Sequence, residues 1–285
     1  MTTYAEGMSD EILTRLEFAR VIATQAGEVT LGFFERGVRA GREAGVESKA
    51  DGTPVTRADR GAEELLRRLV KGRFPADGII GEEFGIERGT TGFDWVFDPI
   101  DGTKSFVAGV PLFGTMVGVL DGRGEVEEPV AGVIHLPALE ETIWAGRGVG
   151  AWSSVAGGAE RRAWAGGAGS LRESMFVYTA PDVFLSTGRW GAFERLTRAT
   201  RLSRGWSDCY GCVLVATGRA DMWVEPLVSL WDVAAAVPIL EEAGAVYTDW
   251  QGRRDWRSGS CVAASPGIHR EAVALLAEAV PGLKA

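Results

Sequence analysis

The chain changes its hydrophobic pattern halfway along, and this change restricts the fold more than any other feature. Between residues 115 and 146, short apolar runs read TMVGVL, PVAGVIHL and ETIWAG, separated by turns that contain Gly, Asp or Pro. Such runs are typical of β-strands, and their close spacing predicts an antiparallel meander. Beyond residue 170, strand-like runs alternate with helix-like runs, which predicts an α/β layer.

Helical spacing of apolar residues predicts one helix from Ser9 to Phe34 and another from about Arg57 to Phe74. In the second half we predict strands at MFVYTA, ADMWVEP, AVYTDW and CVAAS, and helices at Val183 to Ala199, Asp208 to Thr217, Trp231 to Glu242 and Pro266 to Ala279. The chain contains no repeat and no long linker. We therefore expect residues 1–285 to form one layered α/β domain, with the meander in residues 1–150 and a second α/β layer in residues 170–285.

Composition limits the possible partners. The formal net charge of −9 argues against binding to nucleic acid or to an anionic membrane, because either surface requires a basic patch. No apolar stretch approaches the about 18 residues of a membrane span, and the acidic N-terminal residues predict no signal peptide. The three cysteines are an odd number, which argues against a disulfide scaffold and favours the cytoplasm.

The chain has only two histidines, His135 and His269, and both are expected to be structural. A His-rich zinc site and a His-Glu-x-x-His protease helix are therefore excluded. Cys209 and Cys212 would share one helix face, where we expect them to pack in the core. An enzyme with this sequence would have to use carboxylates, hydroxyls and metal ions.

The segment WVFDPIDGTKSF (residues 95–106) ends an apolar run with two aspartates. Pro99 restricts one φ angle and Gly102 permits a tight turn, so that Asp98 and Asp101 could point at one place. Two carboxylates that close together repel, unless a proton or a divalent cation lies between them. Oxygen ligands without Cys or His suit Mg²⁺ first, with Mn²⁺ or Ca²⁺ as alternatives.

Further carboxylates lie at strand ends or helix starts, namely Glu82 and Glu83 in GEEFG, Asp59 in TRAD and Asp232 in LWDV. Singly, each could be a solvated loop residue or a charge that favours a helix N-terminus. Together with the aspartate pair, they would supply ligands for two or three cations, which could activate water and clamp a phosphoryl group. The amides of Gly102 and Thr103 could bind an anion where a helix starts.

The segments GEEFG, WVFDPIDGTKSF and LWDVAAA, in this order, resemble the three signature segments of the inositol monophosphatase family of metal-dependent phosphatases. The resemblance extends over nearly the whole chain. It implies an α/β/α/β/α sandwich, Mg²⁺ as the cofactor and a homodimer. The metal ligands that it implies are Glu82, Asp98, the Ile100 carbonyl, Asp101 and Asp232.

The same resemblance implies roles for residues around the metals. Glu82 and Thr103 correspond to the pair that positions and activates the attacking water. Asp59 corresponds to a carboxylate near that water and a third metal. Lys49 corresponds to a basic residue at the edge of the site.

The motifs define the reaction but not the alcohol that carries the phosphate. Residues 204–232 and the TDWQG segment at residues 248–252 resemble the histidinol-phosphate phosphatases of the family. There, Asp208 and Glu225 would face the imidazole and amino groups of the substrate, since a carboxylate pairs well with a cation. Glu225 also corresponds to a position at which inositol-type members bind a hydroxyl.

We therefore expect histidinol phosphate as the substrate, with inositol-1-phosphate or another sugar or nucleotide phosphate as the alternative. The alternative of another class is a catalytically silent metal-binding protein. Loss of Glu82, Thr103 or an aspartate ligand would favour that alternative, and none is lost.

Overall fold

Two β-sheets and three groups of helices alternate through the structure. The structure is a computed structural model that describes residues 10–38, 47–48, 54–206 and 208–277. Within these residues, one sheet has eight strands, a second has five, and a hairpin has two. The expected layered α/β class is confirmed.

The strands are numbered in chain order. The hairpin comprises β1 (Glu47–Ser48) and β2 (Pro54–Val55). The larger sheet comprises β3 (Gly78–Gly81), β4 (Gly85–Glu87), β5 (Phe93–Asp101), β6 (Gly114–Asp121), β7 (Glu128–Leu136), β8 (Glu141–Gly146), β9 (Gly150–Val155) and β10 (Arg161–Arg162). The smaller sheet comprises β11 (Met175–Val177), β12 (Leu202–Arg204), β13 (Met222–Glu225), β14 (Val246–Thr248) and β15 (Cys261–Ala264).

The helices are numbered in the same way. They are α1 (Asp10–Phe33), α2 (Arg57–Arg73), α3 (Thr103–Val107), α4 (Pro181–Ser186), α5 (Trp190–Ala199), α6 (Cys209–Ala216), α7 (Leu230–Ala234), α8 (Ala236–Glu242) and α9 (Pro266–Ala277). A π-helical segment, Phe34–Val38, extends α1, and short 3-10 helices cover Pro137–Leu139 and Leu171–Glu173. No described helix combines the length and the apolar character that a membrane crossing requires.

The predicted meander is present as β6 to β8, and β5 and β9 extend it, so that the five strands pair antiparallel in chain order. The strand β3 departs from this pattern, because it runs parallel to β5. In the smaller sheet, β11 pairs parallel with β12 and β13, whereas β15 pairs antiparallel with β13 and β14.

Apolar clusters define five layers. Residues of α1 and α2 pack around Trp95 on one face of the larger sheet. Residues of α6, α7 and α8 fill the space between the two sheets, around Val233 and Leu240. Residues of α4, α5 and α9 pack with the smaller sheet around Phe176. The order of layers is the α/β/α/β/α sandwich that the resemblance implies.

Two predicted helices are divided in the structure. The helix predicted over Val183 to Ala199 is α4 and α5, separated at Gly188, whose φ of 71° ends the first helix. The helix predicted over Trp231 to Glu242 starts one residue earlier and is interrupted at Ala235, between α7 and α8. The predicted ends at Ser9 and Ala279 lie outside the described residues.

Candidate metal centre and substrate cleft

The end of β3 brings Glu82 beside the carboxylates of β5. The two strands are parallel with Gly81 opposite Phe97, and the Glu82 amide donates a hydrogen bond of 3.3 Å to the Phe97 carbonyl. Parallel strands place their carboxyl ends at the same edge of a sheet. Glu82 and Asp98 directly follow this pair. They therefore leave the sheet at the same edge.

A β-bulge, rather than the predicted sharp turn, aligns Asp98 and Asp101. Asp98 pairs with Met116 and Asp101 pairs with Gly114. Three residues along β5 therefore correspond to only two residues along β6. Without a bulge, residues three apart in a strand point to opposite faces. Pro99 has no N–H for the ladder and sits within the bulge, where its carbonyl accepts a 2.9 Å hydrogen bond from the Thr115 hydroxyl.

A close approach between helix and sheet brings in the third aspartate, Asp232 in α7. Gly118 and Gly132 are paired neighbours on β6 and β7, and α7 and α8 join directly above them. A Cβ at Gly132 would lie 2.1 Å from the Ala235 carbonyl oxygen, so only glycine admits the helix this close. Asp232 is held by its own helix start, where its Oδ2 accepts 2.7 Å from the Ser229 amide.

Asp98, Asp101 and Asp232 form a tight carboxylate cluster. One oxygen from each lies within 4.8 Å of the others, and Asp98 and Asp101 are only 3% and 8% exposed. Burial, and then the charge of Glu82, raises the pKa of Asp98 well above its ordinary value. Burial, and then the charge of Asp208, does the same to the pKa of Asp101. These carboxylates could ionise together only if positive charge lies among them.

The donor set fits a hard divalent cation. Asp98 Oδ1 is buried and accepts no hydrogen bond from the part of the chain that the structure describes. The Ile100 carbonyl accepts one from the Thr103 hydroxyl at 2.9 Å, which leaves it a second lone pair. The nearest thiol, Cys209, is buried with a pKa well above its usual value, so it is neutral. Oxygen ligands of this kind suit Mg²⁺.

The turn that carries Glu82 is anchored by a residue that sequence reasoning missed, Glu63 of α2. Its fully buried carboxylate accepts hydrogen bonds from the Glu83 amide at 2.8 Å and the Phe84 amide at 3.2 Å. Arg67 supplies the opposite charge at 2.8 Å. A Cβ at Gly81 would lie 1.9 Å from Glu63 Oε1, so the glycine makes room for this anchor.

Asp59 caps its own helix close to the cluster. Its Oδ2 accepts from the Thr56 amide at 2.8 Å and the Thr56 hydroxyl at 2.6 Å. The Thr56 side chain in turn accepts from the Asp59 amide, which completes a capping box. Burial raises its pKa to about 6. Its charge contributes to the raised pKa of Asp98, so the two carboxylates are electrostatic neighbours. Lys49 lies outside the described residues.

The carboxylates open into a cleft of about 360 Å³, which we call the carboxylate cleft. It is lined by Glu82, Asp98, Ile100, Asp101, Gly102, Thr103, Lys104, Ser105, Thr179, Ala180, Asp208, Ser229, Trp231 and Asp232. A larger groove of about 780 Å³ runs along α1 beside His135 and Thr142. We place the site in the smaller cleft, because it contains the clustered acids.

The floor of the carboxylate cleft requires glycine at residue 102. Gly102 has a φ of 87°, a conformation that side chains disfavour. A Cβ there would lie 2.8 Å from the Leu112 carbonyl oxygen and 3.3 Å from Asp208 Oδ2. Thr103 starts α3, and Lys104 follows as the one cationic side chain among the described residues of the lining.

The structure separates the two carboxylates predicted to contact the alcohol part of the substrate. Asp208 lines the carboxylate cleft. Glu225 is 3% exposed and is not among the lining residues. Its Oε1 instead accepts hydrogen bonds from the amide and the hydroxyl of Thr179.

Sequence reasoning missed Thr179 and Lys104 as cleft residues. Thr179 follows the predicted strand MFVYTA and precedes Pro181, so a polar residue at a strand end was the available signal. Lys104 was visible in DGTKSF, but only the fold shows that it reaches the carboxylate cleft.

Both histidines are buried away from the described lining of the carboxylate cleft, as expected of structural residues. His135 Nδ1 lies 2.8 Å from the Thr142 hydroxyl, and His269 Nε2 lies 2.8 Å from the Thr248 hydroxyl. Cys209 and Cys212 are buried in the core between the two sheets.

Comparison with known proteins identifies the family. The profile of the inositol monophosphatase family matches residues 13–283. The chain is 41% identical to a histidinol-phosphatase of Chlorobaculum parvum, an alignment that covers 92% of this chain and 96% of the relative. It is 35% identical to a histidinol-phosphatase of Streptomyces coelicolor, with 93% and 98% covered.

Solved structures show the same fold. An IMPase of Thermotoga maritima superposes with a TM-score of 0.79 at 30% identity, over 92% of this chain and 96% of that one. The inositol monophosphatase of Anabaena superposes with a TM-score of 0.78 at 27% identity, over 95% and 98%. With the acidic cluster and the matched profile, these findings show that the chain belongs to the inositol monophosphatase family, as a phosphoric monoester hydrolase.

Proposed function

We propose that this protein hydrolyses L-histidinol phosphate to L-histidinol and inorganic phosphate, a step of histidine biosynthesis. The observation that carries the proposal is the position of Asp208. Its carboxylate lies in the same cleft as the metal-binding cluster and close to Gly102. One small substrate could therefore contact both ends with its phosphate and its cationic group.

At the metal end, we assign Glu82, Asp98, the Ile100 carbonyl, Asp101 and Asp232 as ligands of Mg²⁺. When bound, two or three such ions would lower the pKa of water and neutralise the phosphate. The amides of Gly102 and Thr103 are assigned to the phosphate oxygens.

The attacking water is assigned to Glu82 and Thr103. The Thr103 hydroxyl donates its hydrogen to the Ile100 carbonyl. Its oxygen is therefore oriented to accept a hydrogen bond from water, while Glu82 takes the proton that the water loses. Asp59 is assigned a supporting role beside this water, and Lys49 the edge of the site.

At the other end, Asp208 is assigned to the ammonium or imidazolium group of histidinol. Burial raises the pKa of Asp208, whereas the nearby hydroxyl of Thr179 and the charge of Lys104 lower it. A cationic substrate would favour the ionised carboxylate further through a charge-assisted hydrogen bond. Inositol carries no cation, so the same carboxylate would add little to its binding.

The two named histidinol-phosphatases, which cover more than nine tenths of the chain, support this substrate. Replacement of Mg²⁺ by Mn²⁺, assembly as a homodimer and a cytoplasmic location remain predictions from the resemblance and the composition. The predicted partner that the described site supports is a small phosphorylated substrate.

Phosphate release by the purified protein tests the proposal, with histidinol phosphate and inositol-1-phosphate compared at equal concentrations with and without Mg²⁺. We expect a strong preference for histidinol phosphate that EDTA and Asp98→Asn both abolish. Preference for inositol-1-phosphate would contradict the proposed substrate but not the proposed metal site. No phosphate release from any phosphate ester with Mg²⁺ present would favour a metal-binding protein without catalytic activity.

A further inference from the structure

Thr179 connects Asp208 with Glu225. Its amide and its hydroxyl donate hydrogen bonds of 2.7 and 2.9 Å to Glu225 Oε1. Its hydroxyl oxygen also accepts a hydrogen bond of 3.1 Å from the Asp208 amide. Thr179 itself lines the carboxylate cleft. A relay therefore runs from Glu225 through Thr179 to the backbone of Asp208.

Asp208 needs such support because its backbone is strained. Its φ of 57° and ψ of −148° lie in a region that essentially only glycine occupies, and such residues persist only when their surroundings hold them. Two backbone amides hold Asp208 in this conformation. The Asp208 amide donates to Thr179, and the following amide, Cys209, donates to Asp101 at 2.6 Å.

The conformation places the Asp208 carboxylate over Gly102. Relaxation to an ordinary conformation would turn the side chain away from this position, because the Cα–Cβ direction follows φ and ψ. The strain is therefore linked to the direction in which the carboxylate points.

Glu225 is placed to support Thr179. Its Oε1 accepts a third hydrogen bond, 2.9 Å long, from the indole of Trp223. Its backbone carbonyl accepts one of 2.8 Å from the indole of Trp250. The residue is thus held on the smaller sheet by contacts with the protein itself.

We propose that Thr179 is a specificity-positioning residue, which holds Asp208 in its strained conformation so that the carboxylate receives the cationic group of the substrate. Glu225 supports this arrangement by accepting the hydrogen bonds that Thr179 donates. This inference rests on the proposed function in that the substrate carries a cation.

The test compares Thr179→Val, which keeps the shape and removes the hydroxyl, with Thr179→Ser, which restores the hydroxyl. KM and kcat are measured with histidinol phosphate and with phenyl phosphate, which has no cation. Losing a hydrogen bond that orients a charged group costs about tenfold or more in affinity. We expect Thr179→Val to raise the KM for histidinol phosphate by about this factor, with kcat and the phenyl phosphate kinetics little changed. Thr179→Ser should behave as wild type.

A double-mutant cycle with Asp208→Asn tests whether Thr179 acts through Asp208. We expect the double variant to be hardly worse than Asp208→Asn alone, because both changes remove the same interaction. Multiplicative effects, or an equal loss on both substrates, would overturn the relay.

The variant Glu225→Gln distinguishes a supporting role of Glu225 from a direct contact with the substrate. The Gln carbonyl oxygen can accept the same hydrogen bonds that Oε1 accepts from Thr179 and Trp223. We therefore expect a change in KM below about threefold, whereas a direct contact with the cation would cost about tenfold or more. A tenfold rise for Glu225→Gln would overturn the proposed role of Glu225.

The wild-type kinetics distinguish failure of the inference from failure of the proposed function. If the wild type prefers another ester, the proposed substrate is wrong, and the cycle is then measured on the preferred ester. If Asp208→Asn changes the KM for that ester, non-additivity with Thr179→Val would support the relay; additivity, or no effect of Asp208→Asn, would overturn the inference.

Discussion

The backbone amide of Cys209 donates a 2.6 Å hydrogen bond to Asp101 Oδ1, across a sequence separation of 108 residues. The contact joins a carboxylate of the larger sheet to the first residue of α6. It also follows directly after the strained Asp208. The carboxylate cluster and Asp208 are therefore held to one another through this hydrogen bond.

Removing this one hydrogen bond should weaken metal binding. Proline is tolerated at the first position of a helix, so Cys209→Pro deletes the N–H while α6 can still begin there. A hydrogen bond to a charged group is worth about 1.5–3 kcal/mol, so we expect the Mg²⁺ concentration for half-maximal activity to rise about tenfold or more. Cys209→Ala, which keeps the amide and loses the thiol, is the control. Equal Mg²⁺ requirements in the two variants would contradict this role of the amide.

Asp98→Asn should separate stability from activity. The change removes one charge from a buried cluster of like charges, so we expect the metal-free protein to melt at a higher temperature than wild type. The rise in melting temperature that Mg²⁺ produces in wild type should disappear, and kcat/KM should fall about a thousandfold or more. Calorimetry with and without Mg²⁺ measures both melting effects. Asp94→Asn, on the same strand but outside the cluster, should retain the Mg²⁺ effect.

Glu63→Ala should show that Glu63 supports Glu82. The variant removes the carboxylate that pairs with Arg67 Nε and leaves two amides without their acceptor. Breaking a buried ion pair costs about 3–5 kcal/mol, and we expect the free energy of unfolding to fall by about 3 kcal/mol while kcat falls with it. Urea unfolding and phosphate release provide the measurements. Its exposed neighbour on the same helix, Glu64→Ala, should change neither quantity appreciably.

Gly132→Ala should move α7 and with it Asp232. The new methyl group would lie 2.1 Å from the Ala235 carbonyl oxygen, a backbone atom that cannot rotate away. Overpacking of this kind costs about 1–3 kcal/mol or more, and the displaced Asp232 should raise the Mg²⁺ requirement. Gly61→Ala on α2 has open space around its Cβ and should instead stabilise the protein by about 0.5–1 kcal/mol. If Gly132→Ala kept the wild-type Mg²⁺ requirement, the close approach would not position Asp232.

His135 should make stability depend on pH. Burial lowers its pKa from 6.5 to about 4, and its ring packs against Gly27 of α1. Between these values the unfolded chain binds more protons than the folded one, so the free energy of unfolding falls as the pH drops through this window. His135 makes its full contribution above pH 6.5, and the contribution is lost progressively towards pH 4.

His135→Gln removes the titrating group, so wild type should lose about 2 kcal/mol more than the variant between pH 7.5 and pH 5. Urea unfolding at both pH values gives this difference directly, because the carboxylate cluster titrates in both proteins. Equal losses in the two proteins would show that another group carries the pH dependence.

The amino-acid sequence by itself determined the secondary structure and the identity of the acidic residues. The meander, the helices and the carboxylates at strand ends were predictable because hydrophobic period and turn residues are local properties. The signature segments added the family and the order of layers. Where the predicted helices divide, at Gly188 and Ala235, the predictions failed because helical spacing continues across both breaks.

The tertiary structure alone decided which of these residues meet and which way they point. Asp98 and Asp101 share one side of β5 because of a bulge that appears only in pairing with β6. Glu225 Oε1 meets Thr179, because the pairing of β11 with β13 brings the two residues together. Side-chain direction depends on contacts between segments as far apart as the 108 residues from Asp101 to Cys209, and a pattern that repeats every two to four residues carries no information about them.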